Sequence, residues 1–440
     1  MDVSLTVPLY PEENKSIPFL TLTVLQTEDE LDQMEPLWKD LVDKSNTTVF
    51  QTFEWVRTWW KYFGSKHELC CIVCMDKDTL VGILPMFLER KRLLGLRVAT
   101  TMKFIGSGIS DYLEPIVLPD YEDPFVQSIV KYLINERGKW DVFEITDVSE
   151  TSPISKNLME RLGQSGLNVF SYEGSLTSEV RLSPTWEDHL QQLGRHTRHE
   201  LKRKTQKLKE NVQFEVEEFG RNSNDVKMAM KAVASLHGER WKSLGYGNAF
   251  DDEKQLAFHT EVAEKFAARG WLRIFFLKIN GIRVALNQGF LFRKRVYVYV
   301  ANAHAPEEIM KYSPGYVLHY LVMRHAIEEG AEVYDMLRGM QTYKATDFKA
   351  VQSGNRLMRA VSAYQSTMLR FRLFVAMEFL GKVPGRLNDE YHEFKRYVIT
   401  QDPSFSSMLK FISKKFLRLW NVGRSYLTGF FSDSKPPTEE

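Results

Sequence analysis

The feature that most constrains the fold of this 440-residue chain is an order of segments that occurs twice. A helical pattern, a glycine, a strand pattern and an acidic residue follow one another in "SIVKYLINERGKWDVFEITD" and again in "YVLHYLVMRHAIEEGAEVYDMLRG". Upstream of each, "VGILPMFLE" corresponds to "IRVALNQGF". A chain that carries one supersecondary order twice predicts two copies of one α/β unit.

Local patterns within the units alternate between strand and helix signals. Thr27 and Glu30 have the spacing of a helix capping box. The polar stretch "DKDT" and the dipeptide Asn280-Gly281 each predict the turn of a β-hairpin. Ser313, followed by a proline, predicts the start of a helix. The sequence therefore predicts an α/β (α+β) fold with mixed, mainly antiparallel sheets flanked by helices.

Four segments are predicted along the chain. Residues 1–19 form a loose lead-in, residues 20–180 the first unit, residues 181–359 the second unit and residues 360–440 a helical tail. Helical patterns within the tail cover about residues 360–380 and 404–431. The stretch "SFSSMLKFISKKFLRLWNVGRSYLTGFF" is basic and aromatic, which predicts either contact with an anionic membrane surface or docking on the body of the protein.

Composition excludes several classes of partner and site. A net charge of +1 gives the molecule no general affinity for nucleic acid, so no DNA partner is predicted. The three cysteines lie together in "LCCIVCM" without the further ligands that zinc needs, which predicts a buried strand and no metal. Neither a signal-peptide pattern nor an uncharged apolar run of about 18 residues is present. We therefore expect a cytoplasmic protein, either free or bound peripherally to the inner face of the membrane.

Eight motifs in order resemble a known superfamily. They are "FQTFEWVRTWW", "LVGILPM", "RHTRHELKRK", "HGERW", "GIRVALNQGF", "YSPGYVL", "YDMLRG" and "TYKATDF", and they span roughly residues 20–350. In this order the chain resembles the GNAT superfamily and, more closely, the CelD-like acyltransferase domain of exopolysaccharide gene clusters, a relative of the Fem-type peptidyltransferases. The usual pyrophosphate signature, Gln/Arg-x-x-Gly-x-Gly/Ala, is replaced here by "KYSPGYV".

The resemblance implies two tandem GNAT-like domains that act as one N-acyltransferase. It implies acyl-CoA as the donor and an amine as the acceptor, on an amino sugar or on a polysaccharide or cell-envelope precursor that is a sugar nucleotide or is linked to a lipid. Two alternatives stay open. One is a Fem-like transferase that uses aminoacyl-tRNA, and the other is a non-catalytic binding protein on a GNAT scaffold.

Two sets of residues are candidates for binding phosphate groups: those of the donor for the first set, and a CoA 3′-phosphate, a nucleotide-sugar diphosphate or tRNA for the second. Lys311, Ser313 and Gly315 lie at a predicted helix start, where unpaired N–H groups and the helix dipole can hold a phosphate. The alternative is a plain helix cap. Arg198 and Arg203 belong to a basic helix that could grip a phosphate-rich group, or could form a solvated face.

The strand "VYVYVANA" carries Tyr297 and Tyr299 on one face. The resemblance implies a bulge in this strand, which splays two strands and turns backbone N–H groups toward the acyl carbonyl. The two tyrosines are candidates for a general acid or for groups that orient the amine. Packing in the core is the alternative.

Four further residues are candidates for binding the acceptor. Asn287 and Gln288 interrupt an apolar strand, and the amide that points inward must find a hydrogen bond, either to substrate or to a neighbouring strand. His237 and Trp241 lie one helical turn apart, where they could line the acceptor pocket or the core.

The second half differs from the first after its last strand. Asp335 and Lys344 flank Gly339, and Tyr343 precedes the lysine. Asp335 is a candidate general base or an ion-pair partner, and Lys344 could bind phosphate or stabilise negative charge near the transferred group. Because "WDVFEITD" in the first half has no such Gly and Tyr-Lys sequel, the working site is predicted in the second half.

Overall fold

The computed structural model of the chain describes residues 20–93, 96–172, 174–220, 225–245, 247–339, 348 and 351–363. All of them fall in one compact unit, Met1–Tyr364. None of the described helices combines the length and the apolar composition needed to cross a bilayer.

The first half begins with an edge strand and ends with a strand that crosses to the second half. Its elements are β1 (Thr21–Leu25), α1 (Glu28–Gln33), α2 (Glu35–Lys44), α3 (Phe53–Phe63), β2 (Glu68–Asp76), β3 (Thr79–Leu93), β4 (Leu96–Phe104), β5 (Ile116–Val117), α4 (Glu122–Asn135), β6 (Val142–Ser149), α5 (Pro153–Gln164), β7 (Asn168–Tyr172) and β8 (Leu176–Arg181).

The second half follows the same plan after two extra helices. Its elements are α6 (Trp186–Gln192), α7 (Arg195–Asn211), β9 (Phe214–Phe219), α8 (Val226–Ser243), α9 (Glu253–Ala268), β10 (Leu272–Ile279), β11 (Ile282–Phe292), β12 (Arg295–Ala303), α10 (Glu307–Met310), α11 (Pro314–Glu328), β13 (Val333–Arg338) and β14 (Val351–Ala363).

The predicted turns and caps are present in the structure. Thr27 Oγ1 accepts a hydrogen bond from the backbone N–H of Glu30 at 3.2 Å, and the Glu30 carboxylate accepts one from the N–H of Thr27 at 3.0 Å. Lys77 and Asn280 take positive φ angles of 55° and 50° at the two hairpin turns. Ser313 does precede α11, but it is left-handed and its side chain makes no capping bond. The capping and turn signals thus predicted the positions of these turns and helix starts correctly. They did not predict the left-handed conformation of Ser313.

The sheet order confirms the repeated unit. The strands run β1-β2-β3-β4-β6-β14-β8-β13-β12-β11-β10-β9, with β5 on β3 and β7 on β14. The order is symmetric about the contact between β14 and β8. In each half one parallel pair, β4 with β6 or β12 with β13, interrupts otherwise antiparallel neighbours. The fold is therefore mixed α/β with two half-sheets flanked by helices, as predicted.

Each half is completed by a strand from the other. β8 precedes the second half in sequence but pairs with β13, and β14 follows the second half but pairs with β6. The predicted segment boundaries at 180/181 and 359/360 fall inside these two strands. The predicted helix over 360–380 is wrong for residues 360–363, which belong to β14, because the open edge of β6 overrides local helix propensity. Residues 364–440, including the predicted membrane-contact segment, lie outside the described residues.

The two faces of the second half-sheet are packed differently. On one face, here the α8–α9 face, Trp55 of the first half lies 5.3 Å from Phe258 of α9 and 6.1 Å from Phe290 of β11, measured between ring centroids. On the opposite face, here the α11 face, Val317 and Met323 of α11 are buried against β10–β13. The halves therefore share one core on the α8–α9 face.

Candidate functional site

An opening in the sheet lies between β12 and β13. Their parallel pairing extends only from Arg295 to Tyr297 on β12, although that strand continues to Ala303. On its other side, β12 carries a bulge: Gly289 of β11 lies opposite Val298 and the preceding β11 residue lies opposite Val300, which leaves Tyr299 as the extra residue. This confirms the bulge that the sequence resemblance implied. The structure thus has a cleft whose one wall is a bulged strand with backbone groups released from the ladder.

The start of α11 lies at the end of this cleft. A Cβ placed on Gly315 would be 3.1 Å from the Cβ of Ala303, so glycine allows the first turn of the helix to approach the last residue of β12. The first N–H groups of a helix have no partner within it and carry a partial positive charge. Of the predicted donor residues, Ser313 and Gly315 are therefore placed where an anion could bind.

Three lysines surround the same helix start. Lys204 of α7 lies 3.9 Å from the ring centroid of Tyr316, and Lys207 lies 5.5 Å from that of Tyr312. Lys311 lies 5.2 Å from the Tyr312 ring. Helix α7 thus places positive charge beside the N-terminus of α11, which favours an anionic ligand.

The residues of α7 that were predicted from sequence are not the ones that reach this place. Arg198 donates to the Gln191 carbonyl oxygen at 3.0 Å, and Arg203 pairs with Glu200 at 2.8 Å. Lys204 could have been found, because it falls between the buried Leu201 and Leu208 on the packed stripe of the helix. A lysine on that stripe is held against a neighbouring element, whereas Arg203 is exposed.

The two predicted tyrosines share one face, as expected, and both pack against the first half. The Tyr299 hydroxyl donates to the Ile109 carbonyl oxygen at 2.8 Å, and its ring lies 5.6 Å from that of Trp55. Tyr297 is buried with its ring 5.7 Å from that of Phe50. Burial raises the pKa of both phenols above the ordinary value. They are neutral groups that join the bulged strand to the first half.

Asp335 is fully buried beneath the cleft. Its carboxylate accepts hydrogen bonds from Arg295 Nη1 at 2.8 Å, from the N–H of Leu337 at 2.8 Å and from the Tyr112 hydroxyl at 3.3 Å. Burial raises its pKa to about 6 although Arg295 opposes the shift. Since Leu337 has a φ of 52°, the carboxylate holds a left-handed residue within a bulge of β13. In this geometry Asp335 positions the strand end and does not face an open site.

The first half closes the β13 side of the cleft. A segment that we call the interface loop, residues 106–113, extends toward Arg338 at the end of β13. Arg338 donates to the Asp111 carboxylate and to the Ser110 carbonyl oxygen, and pairs with Asp147 of β6 at 3.2 Å. Trp55 Nε1 donates to Ser110 Oγ at 2.8 Å and fixes the loop from behind. No local sequence pattern connects these first-half residues to β13, so their contact with Arg338 depends on the tertiary structure.

The adjacent amides of β11 point to opposite faces, and both are buried. Asn287 Nδ2 donates to the Tyr334 hydroxyl at 2.6 Å, and that hydroxyl lies 2.9 Å from His319 Nδ1 of α11. Gln288 lies on the α8–α9 face, and its Oε1 has no hydrogen-bond partner among the described residues. Asn287 thus belongs to a structural network under α11, whereas Gln288 leaves an oxygen without a partner.

His237 and Trp241 bind each other. Trp241 Nε1 donates to His237 Nε2 at 2.8 Å, and His237 Nδ1 lies 2.7 Å from Asn248 Oδ1. Burial lowers the pKa of His237, so the ring is neutral with its proton on Nδ1. Both ring nitrogens are engaged, and the pair fastens α8 to the turn that precedes α9.

Two predicted residues, Tyr343 and Lys344, lie outside the described residues. The neighbouring Phe348 is described, and its ring is buried beside α11, 5.4 Å from Tyr316 and 5.1 Å from His319. Within the described part of the chain, no cluster of three or more His, Cys, Asp or Glu side chains is placed to hold a metal ion.

The corresponding place in the first half has a different character. Helix α4 occupies the position of α11, but Glu122 and Asp123 lie in its first turn. The opening between β4 and β6 is bridged where the N–H of Leu113 donates to the Asp147 carbonyl oxygen at 3.0 Å. Acidic side chains at a helix start repel anions, so of the two equivalent places the one in the second half is suited to a phosphate.

Comparison with known proteins agrees with this geometry. Residues 195–345 match a family model described as an acetyltransferase (GNAT) domain. The second half therefore carries a GNAT-type domain. This domain includes the bulged strand β12, the helix α11 and the lysines of α7. No curated protein matches the sequence.

Solved structures are similar to this chain over about four-fifths of its length. A crystal structure of FemX has a TM-score of 0.54 at 13% identity and covers 80% of this chain and 99% of that one. A tandem GNAT protein from the clavulanic acid biosynthesis pathway has a TM-score of 0.42 at 10% identity, covering 79% of this chain and 100% of that one. The structure of L-PGS from Bacillus licheniformis has a TM-score of 0.44 at 12% identity, covering 79% of this chain and 97% of that one.

Proposed function

We propose that the chain is an N-acyltransferase that moves an acyl group from acyl-CoA to an amine at the cleft between β12 and β13. The observation that carries this proposal is the start of α11, which lies against the end of the bulged strand with Lys204 and Lys207 beside it. A GNAT-type domain, a released strand edge and a cationic helix start together match a phosphorylated thioester donor.

The donor's phosphates would bind the N–H groups at the start of α11 and the lysines Lys204, Lys207 and Lys311. Its thioester would lie along β12, where backbone N–H groups near the bulge at Tyr299 would stabilise the oxyanion. Lys344, with Tyr343, remains in the proposal as a further cation that follows β13.

The reaction needs no covalent enzyme intermediate. The amine nitrogen attacks the thioester carbonyl carbon, the N–C bond forms and the C–S bond breaks. The nitrogen gives up one proton and the departing sulfur takes up one, so the products are an amide and a thiol. Asp335 is assigned a positioning role in this scheme, because its carboxylate holds β13 from below and is buried.

For the acceptor we propose an amino sugar or a related polysaccharide or cell-envelope precursor, as the CelD-like sequence motifs imply. The acceptor would be a sugar nucleotide or would be linked to a lipid. A lipid-linked acceptor would account for a basic aromatic C-terminal tail that contacts a membrane surface from the cytoplasmic side. A Fem-like transferase that uses aminoacyl-tRNA is the second candidate, and the shared fold with FemX and the basic helix α7 favour it.

Thermal unfolding with and without acyl-CoA tests the proposal. Ligand that binds only the native state raises Tm, so acetyl-CoA or a longer acyl-CoA at about 100 times its Kd should stabilise the protein by about 2.7 kcal/mol. The double variant Lys204→Glu/Lys207→Glu should lose this shift. Lys202→Glu, a change on the exposed side of the same helix, is the matched control and should keep it.

The outcomes separate the two candidates. If no acyl-CoA raises Tm of the unchanged protein, the acyl-CoA proposal is wrong. If tRNA binds instead, with an affinity that falls steeply with salt and is lost in the double variant, the aminoacyl-tRNA candidate takes its place.

A further inference from the structure

Two amide oxygens on the α8–α9 face have no hydrogen-bond partner among the described residues. They are Gln288 Oε1 and Asn302 Oδ1, and both atoms are buried. An unpaired buried acceptor costs about 1–3 kcal/mol, and native proteins rarely keep one without a reason. These two lie on adjacent strands, where one bound molecule could donate hydrogen bonds to both.

Both side chains lie just past the bulge of β12, toward the C-terminal end of that strand. Gln288 lies opposite Val300, directly after the extra residue Tyr299, and Asn302 lies two residues further along the same strand. Diagonal neighbours on one face of an antiparallel pair are about 7–8 Å apart, which is within reach of one small ligand. The subsite is therefore adjacent to the backbone groups that the proposed function assigns to the acyl carbonyl.

Two polar groups beside the bulge, Tyr299 and His259, are uncharged. The Tyr299 hydroxyl is already bound to the Ile109 carbonyl oxygen. The His259 ring lies 5.4 Å from that of Tyr299, and burial lowers the pKa of His259 to about 3, so it is neutral at physiological pH. A neutral, desolvated surrounding disfavours both an ammonium and a carboxylate and favours a free amine, which is the nucleophilic form.

We propose that Gln288 Oε1 and Asn302 Oδ1 form the acceptor subsite and take hydrogen bonds from an amine and from a hydroxyl on a neighbouring carbon. This selects amino alcohols, of which amino sugars are one class, and rejects zwitterionic amino acids. The inference rests on the proposed function for the reaction, but the subsite itself depends only on these two side chains.

Helix α8 covers the subsite. Its contact with β12 includes a hydrogen bond from Asn302 Nδ2 to the Leu236 carbonyl oxygen at 3.5 Å, which is long and therefore weak. Binding of the acceptor requires this weak contact to open, and it exchanges the unpaired state of the two oxygens for two donors.

The test uses stability and binding in the same variants. Gln288→Met should leave Tm unchanged or raise it, because it removes an unpaired polar atom, whereas Asn287→Leu, the matched change at the adjacent and fully bonded amide, should lower it. Glucosamine alone should raise Tm of the unchanged protein and of Lys204→Glu/Lys207→Glu, but not of Gln288→Met. Asn302→Leu is the second variant and should behave as Gln288→Met does.

With acetyl-CoA present, both subsite variants should keep the acyl-CoA shift and lose about tenfold or more in kcat/KM for glucosamine, the loss expected for about 1.4 kcal/mol of binding. Glycine and lysine should be poor acceptors for the unchanged protein. The inference is overturned if Gln288→Met lowers Tm as Asn287→Leu does, or if glucosamine stabilises the variants and the unchanged protein alike. If acyl-CoA does not raise Tm, the proposed function is contradicted. The effect of Gln288→Met on Tm and the stabilisation by glucosamine still test the subsite in that case.

Discussion

At the scale of single residues, the carboxyl of Asp335 is the instructive case. Its position in a strand that precedes Gly339 predicts either a general base or an ion pair with Lys344 or Arg338. In the structure its partners are Arg295, Leu337 and Tyr112, while Arg338 pairs with Asp111. The side chain lies where the two halves meet, so its ionisation is coupled to their contact.

Asp335 should make stability depend on pH in the direction opposite to most carboxyls. Its pKa rises from an ordinary 3.8 to about 6, so the folded state holds the proton more tightly than the unfolded state between these values. The free energy of unfolding of the protein minus that of Asp335→Asn should therefore fall as pH rises from about 4 to 6, by on the order of 3 kcal/mol, and be flat above about 7. Urea unfolding at several pH values measures it.

Glu30 provides the control of opposite sign. Backbone hydrogen bonds from Gln26 and Thr27 lower its pKa, so its contribution is present above pH 4.5 and is lost as the solution becomes more acidic. The free energy of unfolding of the unchanged protein minus that of Glu30→Gln should therefore rise with pH in the acid range. If the corresponding difference for Asp335→Asn also rises with pH, the attraction of Arg295 outweighs burial and the pKa of Asp335 is lowered, which contradicts the prediction.

At the scale of elements, the paired strands β11 and β12 determine the geometry of the cleft. Asn280-Gly281 predicted the turn before β11, because turn chemistry depends on a few neighbouring residues. The bulge in β12 was implied by the resemblance and not by a local pattern. The sequence can indicate which side of α7 is packed, but it could not predict that α11 is the element packed there, since that depends on how two separate helices meet. Lys204 and Arg203 are adjacent in sequence but lie on different sides of the helix.

Gly289→Ala should disturb the bulge directly. A Cβ at this position would be 2.6 Å from the Tyr297 carbonyl oxygen, which belongs to the backbone of β12 and cannot rotate away. We expect a loss of about 1–3 kcal/mol in the free energy of unfolding, because β11 and β12 must separate at the bulge. Acyl transfer should be reduced as well, because β12 is one wall of the cleft. Thermal unfolding and single-turnover kinetics measure the two effects.

Gly138→Ala is the matched control, because a Cβ there has no atom within 4 Å. It should change stability by less than about 0.5 kcal/mol. Equal effects at both glycines would show that the close approach to Tyr297 is not what constrains position 289.

At the scale of the whole molecule, the exchange of β8 and β14 joins the halves. The repeat predicted two units, but each half-sheet ends on a strand from the other half, and Arg338 bonds to Asp111, which lies 227 residues earlier. The first half thereby shapes one side of a cleft that the GNAT-type domain of the second half would otherwise leave open.

The two halves should accordingly not fold apart. Residues 20–180 expressed alone lack β14, and residues 182–363 lack β8, so each leaves a central sheet edge unpaired. We expect both fragments to aggregate or stay unfolded, while residues 20–363 unfold in one cooperative calorimetric transition. Two separate transitions in the longer chain, or a soluble folded fragment, would contradict this.

The sequence by itself determined the elements, the repeat, the hairpin turns and the fold class, because periodicity, capping and turn chemistry act over a few residues. It also predicted the helix start at Ser313 and the bulged strand as parts of the site. Only the tertiary structure decided that Lys204 lies beside that helix, that Asp335 is enclosed by the first half and that Gln288 Oε1 has no partner. Such contacts depend on which distant segments pair and pack, and local sequence carries no record of that choice.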